Sequence, residues 1–88
     1  MEKRFTTKIF VLLPVKGSKP RSFSERLIDV HLLPSCDGDD CTLDDVTKYW
    51  SDRVVRRSEY PLGLYRVETS LTRCRLKCSC YLQKVLAK

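Results

Sequence analysis

The sequence has little of what enzymes use to build an active site. It holds one histidine, His31, and only three glycines in 88 residues, and none of them form a phosphate-binding loop. We find no paired Ser–His or Cys–His motif and no pair of carboxylates in an apolar setting. Because acid–base and nucleophilic chemistry needs such groups at matched positions, we expect a protein that is not an enzyme.

Long apolar runs are also missing. No stretch approaches the roughly 18 apolar residues that a membrane span needs. The apolar segment 5–14 is interrupted by Lys8 and is followed by no small-residue cleavage site, which argues against a signal peptide. We therefore expect a soluble chain, cytoplasmic or nuclear, with residues 1–88 forming one small domain.

The five cysteines are an odd number, whereas a secreted disulfide framework more often has an even count. Cys36 and Cys41 flank an Asp-Gly-Asp-Asp loop and could pair in an oxidising setting. Cys74, Cys78 and Cys80 fall on one face of a strand, where neighbours cannot easily bridge. Buried free thiols in a reducing compartment fit this spacing better.

Two metal sites can be weighed, and neither is favoured. Zinc would use the three strand thiols with Cys36, Cys41 or His31 as the fourth ligand. The spacings CxxxC and CxC, however, lack the usual paired CxxC knuckles. Calcium is disfavoured because the acidic loop at 37–40 matches only a fragment of an EF-hand and lacks its bidentate glutamate. We expect no cofactor.

Charge is distributed unevenly along this chain of net charge +6. Residues 36–52 hold six anions and one cation, whereas residues 53–88 hold nine cations and two anions. A basic tail of this kind favours acidic partners, namely nucleic acid, anionic lipid heads or an acidic protein face. The alternative is a solvated surface that serves only solubility.

The segment 73–82 alternates apolar and polar residues without a misfit. A period of two predicts a strand with the three cysteines, Leu76 and Leu82 on its buried face. Its other face would carry cations and Tyr81. A helix is the rival interpretation, because Leu71, Cys74, Cys78, Leu82 and Val85 also recur near a 3.6-residue period.

The other elements precede this strand. Residues 4–13 and 23–33 read as strands, the first central in its sheet and the second with Ile28, Val30 and Leu32 on its apolar face and His31 at the rim. Residues 42–57 predict a helix with a Thr42–Asp45 capping box and Trp50 as a core anchor. Residues 64–69 predict a third strand, joined by a short turn to the fourth. The expected fold is α+β, a small mixed or antiparallel sheet with one helix across it in the order ββαββ.

This order is that of a β-grasp domain. Lys8-Ile9-Phe10-Val11 and Thr42-Leu43-Asp44-Asp45-Val46 resemble the first strand and the helix start of ubiquitin-like domains. The run from Ile9 to Pro14 is similar to the opening strand of the Ras-binding subgroup. The resemblance implies a protein-binding module whose second strand extends a partner's sheet, with Arg26 and Lys48 meeting an acidic partner. The chain lacks a C-terminal Gly-Gly, so the resemblance implies no conjugation.

Two functions follow. The first is a non-enzymatic interaction module for an acidic protein, working through edge-strand pairing and charge complementarity. The second is an accessory protein that binds RNA or DNA through a row of cations with Tyr81 as a stacking platform. The compact size and the cysteine content would suit a small viral protein of this kind. The exposed fourth strand could also pair with its copy in a homodimer. The candidate binding residues for the two functions are Arg26, Lys48, Arg56, Arg57, Arg66, Arg73, Arg75, Lys77 and Tyr81.

Overall fold

The computed structural model describes residues 5–15, 22–33, 42–71 and 76–86. These residues form β1 (Phe5–Pro14), β2 (Phe23–Leu33), α1 (Leu43–Arg56), β3 (Gly63–Leu71) and β4 (Lys77–Lys84). The predicted α+β class and the ββαββ order are confirmed. The fourth segment is a strand, so the helical alternative is wrong over the described residues.

The four strands form one antiparallel sheet in the order β2-β1-β3-β4. β1 is a central strand, as predicted, and β2 and β4 form the two edges. Ile9 lies opposite Val67, which in turn lies opposite Cys80. The β1–β2 register shifts between Ile9 and Phe10, which leaves Ile28 without a partner in β1. This bulge changes which β2 side chains share a face.

Local sequence signals define the helix. Thr42 accepts from the backbone N–H of Asp45 at 3.2 Å, and the Asp45 carboxylate accepts from the N–H of Thr42 at 3.0 Å. The predicted capping box is thus confirmed, and hydrogen bonds from the backbone and side chain of Thr42 to the Asp45 carboxylate lower the pKa of Asp45. At the C-terminal end of the helix, the ammonium of Lys84 in β4 donates hydrogen bonds to the carbonyls of Val54, Arg57 and Tyr60 at 2.9, 2.5 and 2.7 Å.

The helix lies over β3, β4 and β1 and encloses a small core with them. That core consists of Ile9, Val54, Tyr60, Tyr65 and Val67, with Val11, Trp50 and Leu82 packed against it. Threonines complete the buried layer, and the hydroxyls of Thr7 and Thr69 pair at 2.9 Å. In the described residues no helix has the length and apolar character needed to cross a membrane.

Two sequence-based expectations about burial are wrong. Leu76 precedes β4 and is 69% exposed, because the strand begins only at Lys77. In β2 the expected core face of Ile28, Val30 and Leu32 is exposed, whereas Asp29 and His31 are half-buried. The physical reason is that the helix covers β1, β3 and β4 and leaves β2 outside the core.

Candidate protein-binding surface

Three of the predicted binding cations lie at the helix and already have carboxylate partners. Lys48 contacts Asp44 at 3.0 Å and Arg56 contacts Asp52 at 3.1 Å, each one helical turn apart, and Arg57 contacts Glu59 at 3.0 Å. The Asp44 carboxylate raises the pKa of Lys48 through this contact. Such exposed pairs contribute little to stability. A partner would have to compete with the existing carboxylates at all three positions.

Arg66 is more fully neutralised. Its guanidinium binds both oxygens of Glu25, with Nε–Oε2 at 2.5 Å and Nη2–Oε1 at 3.0 Å, and it reaches Glu68 at 2.9 Å. The guanidinium carbon lies 4.2 Å from the Phe10 ring centroid, and the side chain is only 14% exposed. The bond to Glu25 raises the pKa of Arg66, and the same bond lowers the pKa of Glu25. Arg66 is therefore a cross-strand bridge between β2 and β3, not a free cation.

The remaining predicted residues fall into two groups. Arg26 in β2 and Lys77 and Tyr81 in β4 are exposed. Lys77 and Tyr81 alternate with the half-buried Cys78 and Cys80, so the predicted division of this strand into two faces is confirmed within β4. Arg73 and Arg75 lie outside the described residues. The row of cations expected on this strand is therefore represented by Lys77 alone in the described part of the chain.

Most of the large exposed apolar side chains of the described strands lie on β2. We call the following five residues the β2 apolar surface, and their exposed fractions lie between 40% and 71%: Phe23, Leu27, Ile28, Val30 and Leu32. Isolated exposed apolar residues are ordinary, but a contiguous group on one strand marks a binding site.

Four of the five residues lie on the face of the sheet that the helix does not cover, which we call the open face: Phe23, Leu27, Val30 and Leu32. Ile28, at the bulge, lines a cleft with Tyr60 and Tyr65 on the helix side. Leu27 lies opposite Phe10, and the next strand brings Leu12 opposite Leu64. Beyond these residues a shallow cleft of about 310 Å³ includes Leu12, Leu64 and the ring of Tyr81 in its lining. The open face is therefore an apolar band with the Arg66 bridge inside it.

The two edges of the sheet differ in how they are protected. Natural edge strands avoid unwanted pairing by carrying lysine or proline, by being short or by bulging. β4 begins and ends with lysine and alternates polar residues on its open face. β2 is eleven residues long and contains no lysine or proline, but it carries Glu25, Arg26 and Asp29 and the bulge at Ile28. The two edges are thus protected by different devices.

Three aromatic rings, one from β2 and two from the helix, pack together on the helix side of β2. Trp50 stacks on His31 with ring centroids 3.8 Å apart and planes 10° from parallel. The Tyr49 ring packs edge-on against Trp50 at 5.4 Å. The Arg53 guanidinium carbon lies 5.3 Å from the centroids of both aromatic rings of the helix, within cation–π range. We call His31, Tyr49, Trp50 and Arg53 the ledge. Trp50 is therefore a border residue between core and surface, where the sequence predicted a core anchor.

Asp29 fixes the base of the ledge. Its carboxylate accepts from the Tyr60 hydroxyl at 2.8 Å, from the backbone N–H of Val30 at 3.1 Å, and lies 2.9 Å from Nε2 of His31. Burial raises the pKa of Asp29, but the hydrogen bonds and the imidazole outweigh it, so the net pKa is lowered. Burial and the bond to Asp29 raise the pKa of Tyr60. The predicted rim position of His31 is confirmed, and a carboxylate orients its ring.

Two nitrogen donors of the ledge have no acceptor in the described structure. Both Nε1 of Trp50 and Nε of Arg53 are buried and make no hydrogen bond. Arg53 does donate from Nη1 to the Tyr49 hydroxyl at 3.1 Å, but it contacts no carboxylate among the described residues. Unsatisfied buried donors cost free energy, so these two nitrogens lower the stability that the ledge contributes to the fold.

The predictions about cysteines and metals fall only partly within the described residues. Cys78 and Cys80 are free thiols on the helix-facing side of β4. In the described ranges no three histidine, cysteine or acidic side chains gather as metal ligands. Cys36, Cys41 and Cys74, and with them the Cys36–Cys41 pairing, lie outside these ranges.

Sequence reasoning missed the ledge and the β2 apolar surface. A signal for the ledge existed, because Tyr49, Trp50 and Arg53 are within one helical turn and interact on one side of the helix. Searches of known proteins add no relative to these observations: no family model, no curated protein and no solved structure matches the chain.

Proposed function

We propose that this protein is a non-enzymatic interaction module that binds an acidic protein through the β2 apolar surface and the adjoining open face. The observation that carries the proposal is the exposure of five large apolar side chains on an edge strand outside the core. Burying apolar area stabilises by about 25 cal/mol per Å². A partner that covered β2 would therefore gain binding free energy from apolar area that stays exposed in the folded chain.

Charge supports an acidic partner. The chain carries a net charge of +6. On the open face, Lys8 and Lys77 contact no carboxylate among the described residues, whereas Glu25 and Glu68 are both bound by Arg66. Arg26 lies opposite Val11 on the helix side of β2 and also contacts no carboxylate among the described residues. Cations at the rim of an apolar patch speed association with an acidic surface and select against basic partners.

The ubiquitin-like resemblance would give the same assignment by a separate route. Under that resemblance β2 would extend a partner's sheet, and Arg26, which is exposed and lies in β2, would meet its acidic residues. Lys48 is a weaker candidate, since Asp44 already holds it. The β-grasp identity stays a prediction, as does pairing of β4 with a second copy.

Nucleic-acid binding is the second candidate, and one observation favours it. Tyr81 is 69% exposed on the same strand face as Lys77, as a stacking platform with a phosphate contact requires. The described open face, however, offers few free cations, because Arg66 is bound by two glutamates. Protein binding is therefore the better-supported function.

The test is affinity capture from a nuclease-treated lysate with three forms of the full chain. Leu32→Lys places a charge in the β2 apolar surface, and Val55→Lys places the same charge on the exposed side of the helix, where the side chain is also solvent-accessible. We expect wild type and Val55→Lys to retain the same acidic protein and Leu32→Lys to lose it.

Other outcomes would overturn the proposal. Equal retention by both variants would remove β2 from the binding site. Loss of all bound protein after nuclease treatment, together with retardation of oligonucleotides in a low-salt gel shift, would establish the nucleic-acid alternative in its place. In that case affinity should fall with salt by about 0.7–0.9 logarithmic units per unit of log salt for each neutralised phosphate.

A further inference from the structure

We propose that β4 pairs antiparallel with β4 of a second copy about a two-fold axis at Tyr81, which makes the protein a bivalent binder. This inference goes beyond the proposed function, since it concerns the opposite edge of the sheet. It specifies the axis, the register and the arrangement of the two binding surfaces in the dimer.

The outer edge of β4 is open to pairing. In the described structure β4 bonds only to β3, so every second backbone N–H and C=O of β4 points outward on its other side. Lysines at the two ends of a strand discourage pairing. The Lys84 ammonium, however, is already bound to three carbonyls of its own chain, so of the two lysines only Lys77 protects this edge.

Exposed apolar side chains are spaced symmetrically along this edge. Four large ones lie within residues 76–86 and are 64–77% exposed: Leu76, Tyr81, Val85 and Leu86. Tyr81 is the centre of this segment, with Leu76 and Leu86 equally far from it in sequence. Exposed apolar groups gathered in one place indicate a contact surface. Their symmetry favours a second copy as the partner, because a two-fold interface forms each residue pair twice.

The alternation of the strand restricts the position of the axis. Directly opposite residues of an antiparallel pair point to the same face, so the axis passes through a residue and not between two residues. With the axis at Tyr81, residues 78–84 pair with the second copy and Leu76 faces its Leu86. An axis at Cys80 would also pair seven residues of β4, but it would place Leu76 opposite Lys84 of the second copy.

The register about Tyr81 is chemically consistent on both faces. On the helix side it sets Cys80 against Leu82 of the second copy, so apolar groups meet. On the open face it brings the two Tyr81 rings together at the axis and sets Ser79 against Gln83. Aromatic side chains directly opposite each other stabilise a strand pair. Neither lysine of β4 lies opposite a lysine, a pairing that would oppose association of two chains of net charge +6.

The dimer would present two β2 apolar surfaces. An axis perpendicular to the sheet keeps both helices on one face and joins the two sheets into one of eight strands, with β2 at both outer edges. The two β2 strands are then separated by seven strand spacings of about 4.8 Å, or about 34 Å. A partner with two matching sites at this separation would bind the dimer about 100-fold more tightly than the monomer.

Analytical ultracentrifugation of the full chain over a concentration range measures the dimer. One strand pair buries little area, so we expect reversible dimerisation with a Kd on the order of 10 μM at physiological salt. Tyr81→Lys places two ammonium groups at the axis and should weaken the dimer at least about tenfold. Leu32→Lys adds the same charge at an exposed position of the other edge, so it should leave the dimer within about twofold of wild type.

Disulfide trapping tests the register. In a chain with Cys78→Ser and Cys80→Ser, Tyr81→Cys places two thiols directly opposite each other, with Cα atoms about 4.5–5.5 Å apart, within disulfide range. Ser79→Cys is the matched control, because residue 79 faces residue 83 of the second copy and its two thiols lie more than about 13 Å apart. Diamide takes up the two electrons and two protons released by each bond. We expect a cross-linked dimer for Tyr81→Cys and only the background of the remaining cysteines for Ser79→Cys.

Several results would overturn the proposal. These are a chain that stays monomeric up to about 1 mM, equal cross-linking at residues 79 and 81, no cross-linking at residue 81, or a Tyr81→Lys dimer of wild-type affinity. The proposed function is judged separately, because capture of an acidic protein depends on Leu32 in monomer and dimer alike. Monomeric protein with Leu32-dependent capture rejects only the β4 pair, and a dimer whose capture ignores Leu32 rejects only the β2 site.

Discussion

A single lysine joins the last strand to the end of the helix. The ammonium of Lys84 donates to three backbone carbonyls, two of them beyond the last helical residue. Carbonyls at a helix C-terminus have no intrahelical partner, and a cation there is also favoured by the helix dipole. This contact links elements about thirty residues apart in a core that contains few large side chains.

We therefore predict that Lys84→Met lowers the free energy of unfolding by about 1–3 kcal/mol, because three carbonyls lose a charged donor. Urea denaturation followed by Trp50 fluorescence measures the change. Lys77→Met, an exposed lysine of the same strand, should stay within about 0.5 kcal/mol of wild type. Equal effects of the two substitutions would show that the carbonyl contacts of Lys84 do not stabilise the fold.

Asp29 gives stability a defined pH dependence. Since its pKa is lower in the folded protein than the ordinary value of about 3.9, its contribution is fully present above that value and is lost as pH falls through the lower folded pKa. Asp45 and Glu25 act in the same direction, because their pKa values are also lowered.

Asp29→Asn should therefore destabilise the protein by about 1–3 kcal/mol at neutral pH, and the difference from wild type should shrink below about pH 4. Thermal unfolding between pH 7 and pH 2.5 gives the profile. Asp52→Asn, at an exposed helix pair, serves as the control, with an expected change below about 1 kcal/mol. A gap that persists unchanged into acid would contradict the role assigned to the Asp29 carboxylate.

Interactions between residues close in sequence could be predicted, and distant ones could not. The Thr42–Asp45 box and the Asp44–Lys48 pair follow from helical spacing alone. The bridge from Arg66 to Glu25 spans 41 positions, so it depends on where β1 places its two neighbours. For that reason the sequence assigned Arg66 to a binding surface, and the structure places it in a bridge.

At the scale of elements, alternation predicted every strand, but it did not predict which face of β2 would be buried. β2 has an apolar face in sequence, yet the helix does not cover it, and the bulge at Ile28 turns Asp29 toward the helix side. Which strand becomes an edge depends on the pairing of β1 with β3, a long-range choice with no local signal. The alternation in β1 and β3 matches their burial, because both are central strands that the helix covers.

A matched pair of isoleucines tests this division. Ile9→Ala removes a fully buried side chain of the core and should cost about 2–5 kcal/mol. Ile28→Ala removes the same atoms from the β2 apolar surface and should cost less than about 1 kcal/mol. Chemical denaturation of both variants measures the two values. A large loss of unfolding free energy in Ile28→Ala would mean that β2 contributes to the core and would contradict its assignment as a binding surface.

At the scale of the whole molecule, the fold is a sheet with its helix on one face and an apolar band on the other. The core uses the helix-facing side of β1, β3 and β4, and β2 carries five exposed large apolar residues, more than any other described strand. Sequence composition predicted an acidic partner from the basic character of the chain. The candidate residues Arg26 on the second strand and Lys77 on the fourth are both exposed, and their role in binding stays a prediction. The sequence did not predict the apolar surface on the second strand.

The most direct measurement of the central claim is the affinity of the purified captured partner for three forms of the full chain, by calorimetry at physiological salt. The account predicts that Leu32→Lys weakens binding by at least about tenfold and that Val55→Lys leaves it unchanged. Equal affinities for Leu32→Lys and wild type would contradict the assignment of β2 as the docking surface.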